Sequence, residues 1–83
     1  FSPMESMSTL AQINVGRRCR VVTTEIASPE AQAHLEAMGI FPGVEMKVLR
    51  EAPLGDPIQV RIGVSLMSIR KQEAACIGVE SVL

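Results

Sequence analysis

Site chemistry needs titratable or soft side chains brought together, and this 83-residue sequence offers few of them. Its one histidine is His34, and Glu30 stands four positions before it. On a helix that spacing puts both side chains on one face, where they could hold zinc or ferrous iron weakly once a neighbour completes the site. A solvated helix face accounts for the same two residues. Glu36 lies too far round such a helix to be a third ligand. Asp56, the one aspartate, sits between Gly55 and Pro57 and reads as a turn residue. No Ser–His pair can be argued, and neither a Walker A pattern nor G-x-G-x-x-G occurs. The chain is therefore expected not to be an enzyme and to require no cofactor. Cys19 and Cys76 lack the C-x-x-C spacing of a zinc knuckle or a thioredoxin-like motif. Two reduced, partly buried thiols are the expectation. A soft metal pair or a single disulfide would need the fold to bring them together.

Two further groups are candidates for contact rather than catalysis. Arg17, Arg18 and Arg20 crowd the start of a strand. They suit a strand end balanced by glutamates, or else an acidic patch on a partner or lipid headgroups; three charges are fewer than the roughly 4–8 of a lipid-reading cluster. Phe41 and Leu54 each lie in a turn beside Pro and Gly. Turns usually lie at the surface, where large apolar groups are not the default. They either fold back to cap a barrel end or form an exposed apolar patch for a protein partner. The candidate partner-binding set is Met38, Phe41, Leu54 and Arg50.

Composition narrows the partner. Eight basic and nine acidic residues leave a net charge of −1, too little for nonspecific nucleic-acid binding. Aromatic residues are 2%, with no Trp and no Tyr, so no stacking platform for single strands can be built. No run approaches the roughly 18 apolar residues of a membrane span, and no secretory leader is visible, so a cytoplasmic protein without membrane insertion is expected. Hydrophobic residues are 47% of the chain, enough for one small core. Phe1 to Pro3 reads as a cloning remnant, with Met4 or Met7 as the native start; residues 1–6 as a whole read as remnant or disordered start, and residues 8–83 as a single domain.

The elements that must position these residues read mostly as strands. Ser8 to Val15 is a short opening segment ended by Gly16. Cys19 to Ile26 is rich in Val and Thr and predicts a strand. Ser28-Pro29-Glu30 starts a helix: serine caps the orphan amides, proline suits the first position and glutamate the positive end. Ala31, Leu35 and Met38 share one face of it, and Gly39 stops it. Val44 to Val48 and Ile58 to Ile62 then alternate with a period of two, separated by the turn cluster 52–57. Leu66 to Arg70 predicts a third strand of this series, Lys71 to Ala75 one helical turn, and Ile77 to Leu83 a closing strand bent or bulged at Gly78. The fold class is mainly β: an antiparallel sheet of about five strands, curling into a small barrel, with one helix after the first strand.

Gly16-Arg-Arg-Cys-Arg-Val-Val, Leu35-Glu-Ala-Met-Gly-Ile-Phe-Pro-Gly43, Gly55-Asp-Pro-Ile58, Leu66-Met-Ser-Ile-Arg70 and Glu73-Ala74 together resemble the FeoA family, the small cytosolic component of bacterial ferrous-iron uptake. The match covers about residues 8 to 83. The resemblance implies an SH3-like barrel. It also implies an accessory or regulatory role through binding FeoB, the membrane permease with a cytosolic GTP-binding domain. An SH3-like barrel without Trp or Tyr lacks the walls of a proline-peptide groove. Strand addition at an open edge, or burial of the Phe41 and Leu54 region, is the expected contact. Two alternatives stand beside this: an iron carrier or sensor using Glu30 and His34, and the FeoA-like domain of a DtxR-type metal-dependent repressor, for whose DNA-binding domain the 83 residues have no room. A homodimer is compatible with the exposed apolar turns.

Overall fold

The two stretches with the cleanest alternation lie at the centre of the sheet. In the computed structural model, which describes residues 8–82, they are β3 (Glu45–Glu51) and β4 (Ile58–Ile62). Met46, Val48, Ile58 and Val60 turn to the core, each no more than 2% exposed. Glu45, Lys47, Gln59 and Arg61 alternate with them on the outer face. With β1 (Ser8–Thr9), β2 (Arg18–Thr23), β5 (Ser65–Ile69) and β6 (Gly78–Val82) they form one antiparallel sheet of order β1-β6-β2-β3-β4-β5. The edge strands β1 and β5 do not pair with each other, so the barrel is open. The sixth strand is β1, whose two residues pair Ser8 with Val79 and Thr9 with Gly78. Two residues cannot show a period, which is why five strands were expected and why the helix follows β2 rather than the first strand.

The main helix, α1 (Pro29–Ala37), begins and ends on local chemistry. Ser28 Oγ accepts the Ala31 amide at 3.2 Å, and Pro29 takes the first helical position. Gly39, at φ +86°, closes the helix. Its amide bonds the Glu36 carbonyl at 2.9 Å and the Ile40 amide bonds the Leu35 carbonyl at 2.8 Å. These are the two bonds of a Schellman cap, and the apolar contact that accompanies it is between Leu35 and Ile40, both buried. Leu35 packs into a core that also holds Leu10, Cys19, Val21, Ile69, Ile77 and Val79.

A single-turn helix, α2 (Lys71–Ala74), follows β5. Asp56 is more than a turn residue: its carboxylate accepts the Lys71 amide at 2.9 Å and ties the β3–β4 loop to α2. The bulge expected at Gly78 sits on the opposite strand. Val21 pairs with Val79 and Thr23 with Gly78, leaving Val22 extra on β2. The expectation for Phe1 to Ser6 falls outside the described residues. No helix among the described residues is long and apolar enough to cross a membrane.

Candidate functional site

Phe41 is held outward by two turns that share it. On one side the Schellman cap buries Ile40. On the other, the Val44 amide bonds the Phe41 carbonyl at 3.2 Å across Pro42 and Gly43. Gly43 has φ +97°, so Pro42-Gly43 forms a turn of type II, which requires a positive φ at its third residue. The chain must then rejoin β2, and the Gly43 amide reaches the Val21 carbonyl at 2.8 Å. Phe41 is left 48% exposed, while Met38, at the end of α1, is partly buried against the core.

Leu54 stands at the tip of the β3–β4 loop. The Gly55 amide bonds the Ala52 carbonyl at 2.7 Å, placing Pro53 and Leu54 at the two central positions of a reverse turn. The Ala52 amide bonds the Pro57 carbonyl at 3.0 Å, and the Asp56–Lys71 bond anchors the loop from below. Leu54 is 96% exposed, so it caps no barrel end. Arg50, exposed near the same end of β3, pairs across the ladder with Gln59.

The four candidate contact residues do not form one patch. Met38 and Phe41 precede β3, whereas Arg50 and Leu54 lie at and beyond its far end. Six residue steps from Glu45 to Glu51 span roughly 20 Å along the strand. The fold therefore holds the exposed side chains of Phe41 and Leu54 apart.

The metal candidates are also redistributed. His34 Nε2 lies 3.6 Å from Glu73 Oε2 on α2, a partner that sequence spacing did not suggest. Glu30 remains exposed in the first turn of α1. Among the described residues no three His, Cys, Asp or Glu side chains come together to hold an ion. Both cysteines are free thiols. Cys19 is fully buried, and desolvation pushes its pKa from 9.0 up to about 11, so it stays protonated at neutral pH and is no ready ligand. Cys76 donates to the Gln72 carbonyl at 3.5 Å. With Ala27, Ala31, Leu35, Gln72 and Glu73 it lines an apolar cleft of about 200 Å³ between α1 and α2.

Of the arginine cluster, Arg20 is balanced by glutamates: it lies 3.1 Å from Glu80 and 4.0 Å from Glu45. The sequence reading missed two features of the outer surface. Val64 and Leu66, at and after the β4–β5 turn, are 100% and 61% exposed. Arg18, Lys47 and Arg61 fall into one row across three strands. The residue types of Gly63 to Ser65 do predict a turn, though not that Val64 and Leu66 stand outward from it; the row cannot be read, since it exists only in the register.

An open antiparallel barrel of SH3-like form, with its long helix between the second and third strands, is the class of fold. Residues 8–81 match the family model described as the FeoA domain, and the chain belongs to the FeoA family, whose members are small accessory proteins linked to iron transport. The solution structure of the FeoA protein from Chlorobium tepidum is 36% identical, with a TM-score of 0.83 over 92% of this chain and 71% of that one. Iron(II) transport protein A from Clostridium thermocellum is 39% identical, with a TM-score of 0.84 over 90% of this chain and 46% of that one. A manganese-dependent transcriptional repressor in complex with manganese shares the fold alone: 20% identity, a TM-score of 0.84, and 99% of this chain against 38% of the repressor.

Proposed function

We propose that this protein is a non-catalytic, cytoplasmic accessory of bacterial ferrous-iron uptake that acts by binding the FeoB membrane permease. The observation that carries the reading is the presentation of Phe41 and Leu54. Both large apolar side chains are held outward on hydrogen-bonded turns. A turn fixed in this way loses little conformational freedom on docking, so its apolar side chain can contribute most of its burial to binding. Family membership supports iron uptake as the setting. The test is binding of the full chain to full-length FeoB in nanodiscs. Phe41→Asp and Leu54→Asp should each weaken binding about tenfold or more with the fold intact by circular dichroism. Because the two points lie at opposite ends of β3, variants with equal and non-additive effects would contradict two separate contacts. Absence of wild-type binding at tens of micromolar would refute the reading.

The contact between His34 and Glu73 favours a second reading, in which the chain carries ferrous iron on the α1–α2 side with Glu30 nearby. Anaerobic titration with ferrous iron separates the two. The paired variant His34→Ala with Glu73→Gln should abolish binding of the ion if that reading holds.

A further inference from the structure

A sheet that does not close leaves two edges, and here they differ. One is β1, two residues long; the other is β5, Ser65–Ile69. An exposed edge is a template for another strand, and charge, proline or a bulge is the usual defence. β5 has none of these. Its residues are Ser, Leu, Met, Ser and Ile, and it pairs with β4 at five consecutive positions without a break. Every other described strand longer than two residues carries at least one charged side chain. The strand where a charge would guard most is the one without it.

The turn into β5 fixes which backbone groups are free. Gly63 has φ +61°, and among the described residues only glycines have a positive φ, so Gly63-Val64 is a two-residue turn of type II′. Such a turn closes on a hydrogen-bonded pair, which here sets Ile62 against Ser65. Along antiparallel strands, bonded and unbonded pairs alternate. Ser65, Met67 and Ile69 therefore turn their backbone groups to β4, and Leu66 and Ser68 turn theirs to the open edge. Among the described residues, no backbone bond ties Ser65–Ile69 to any segment but β4. Two amides and two carbonyls are thus presented along one edge, beside the 61% exposed side chain of Leu66.

We propose that β5 pairs with β5 of a second copy of this chain, antiparallel, about a two-fold axis at Met67. Leu66 then stands opposite Ser68 of the second copy, and Ser65 opposite its Ile69. This register uses all the free amides and carbonyls of both edges; a slip of two residues leaves Leu66 or Ser68 without a strand partner. Side chains select a second copy over a foreign strand. On the inner face Val48, Val60 and Met67 form a row across three strands, the first two fully buried and Met67 partly so. Met67 of the second copy extends that row, apolar beside apolar. On the outer face Leu66 meets a serine, and Arg61 falls in line with Gln59 of the second copy, so no like charges oppose each other. The seam is one strand wide, under the roughly 1,000 Å² of a stable interface, so the dimer is weak, half formed at about 0.1–1 mM chain. The inference does not rest on the permease reading.

The test follows sedimentation and amide exchange of the full chain from about 20 µM to about 2 mM. In dilute solution the Leu66 and Ser68 amides should exchange freely while Met67 and Ile69 are protected by β4. On concentration, Leu66 and Ser68 should slow severalfold as the dimer forms. Ser68→Pro removes a free amide without touching the β4 ladder, and Leu66→Lys sets a charge on the edge. Each should weaken association about tenfold or more; the lysine variant serves if the proline variant does not fold. In a Cys76→Ser chain, Met67→Cys should cross-link to its copy, because an unbonded pair stands about 4.5 Å apart at Cα. Leu66→Cys should not, since its copy lies beyond the roughly 7 Å limit. A monomer at about 2 mM overturns the proposal. So does protection of Leu66 and Ser68 at about 20 µM, the mark of a segment of the chain's own already seated on the edge. Association that neither edge variant weakens, or cross-linking through Leu66→Cys in place of Met67→Cys, overturns it as well.

Discussion

Raising the pH from 8 to 11 should destabilise this protein through one buried thiol. Cys19 is fully buried on β2 and faces Met46 and Ser81 on the neighbouring strands. Its pKa stands at about 11 in the fold against 9.0 for a free thiol. The folded thiol holds its proton where the unfolded one has lost it. Stability is therefore flat below pH 9, falls between pH 9 and 11, and levels off above. Two units correspond to about 2–3 kcal/mol at the full extent. A domain of this size holds only about 3–5 kcal/mol in its core, so the loss is a large fraction of the total. The assay is urea unfolding across that pH range, for wild type and for Cys19→Val, which keeps the apolar volume without the thiol. The chain has no Tyr, and the contribution of every group other than Cys19 cancels in the comparison. The wild type should lose about 2 kcal/mol more than the variant. Equal loss in both would refute the burial argument and return Cys19 to consideration as a metal ligand. A thiol reagent at pH 8 should label Cys76 and spare Cys19 in the folded chain.

Gly39→Val and Gly43→Val should each cost about 1–3 kcal/mol, because both positions have positive φ although neither is crowded; an unchanged urea midpoint would contradict this. Lys47→Gln or Arg61→Gln should leave stability level or raise it by a few tenths of a kcal/mol, more at low salt, as relief of cross-strand repulsion; a clear loss would show the cations stabilise the sheet. Leu54→Asp should change stability by less than about 0.5 kcal/mol, whereas Leu35→Ala, in the core, should cost about 2–5 kcal/mol in the same unfolding assay.

The parts of this fold legible in the sequence are those whose causes are local. Ser28, Pro29 and Gly39 bracket α1 because each acts on backbone groups within a turn of itself. The strands β3 and β4 show because alternation needs no knowledge of the partner strand. Phe41 and Leu54 could be picked out because turn rules place them at the surface. What could not be read is any relation across long chain separations. The helix spacing nominated Glu30 as the neighbour of His34, but α2 brings Glu73 within 3.6 Å from the far end of the chain. Phe41 and Leu54 looked like one region because both sit beside Pro and Gly, yet β3 runs between them.

The row of Arg18, Lys47 and Arg61 is the extreme case. Taken singly, each obeys the alternation rule as a polar residue on the outer face, and nothing marks it. Only the register sets three like charges at strand spacing, and only there does a cost appear. Two residues along β2 and β3, the sheet places Arg20 between Glu45 and, on β6, Glu80. Both rows lie on one sheet, under the same twist and solvent, so geometry does not force the repulsive arrangement. The compensated row is accounted for by the stability of the fold itself. Lys47 and Arg61 are not: they face each other with no ion pair among the described residues, a juxtaposition that no local pattern in either strand announces.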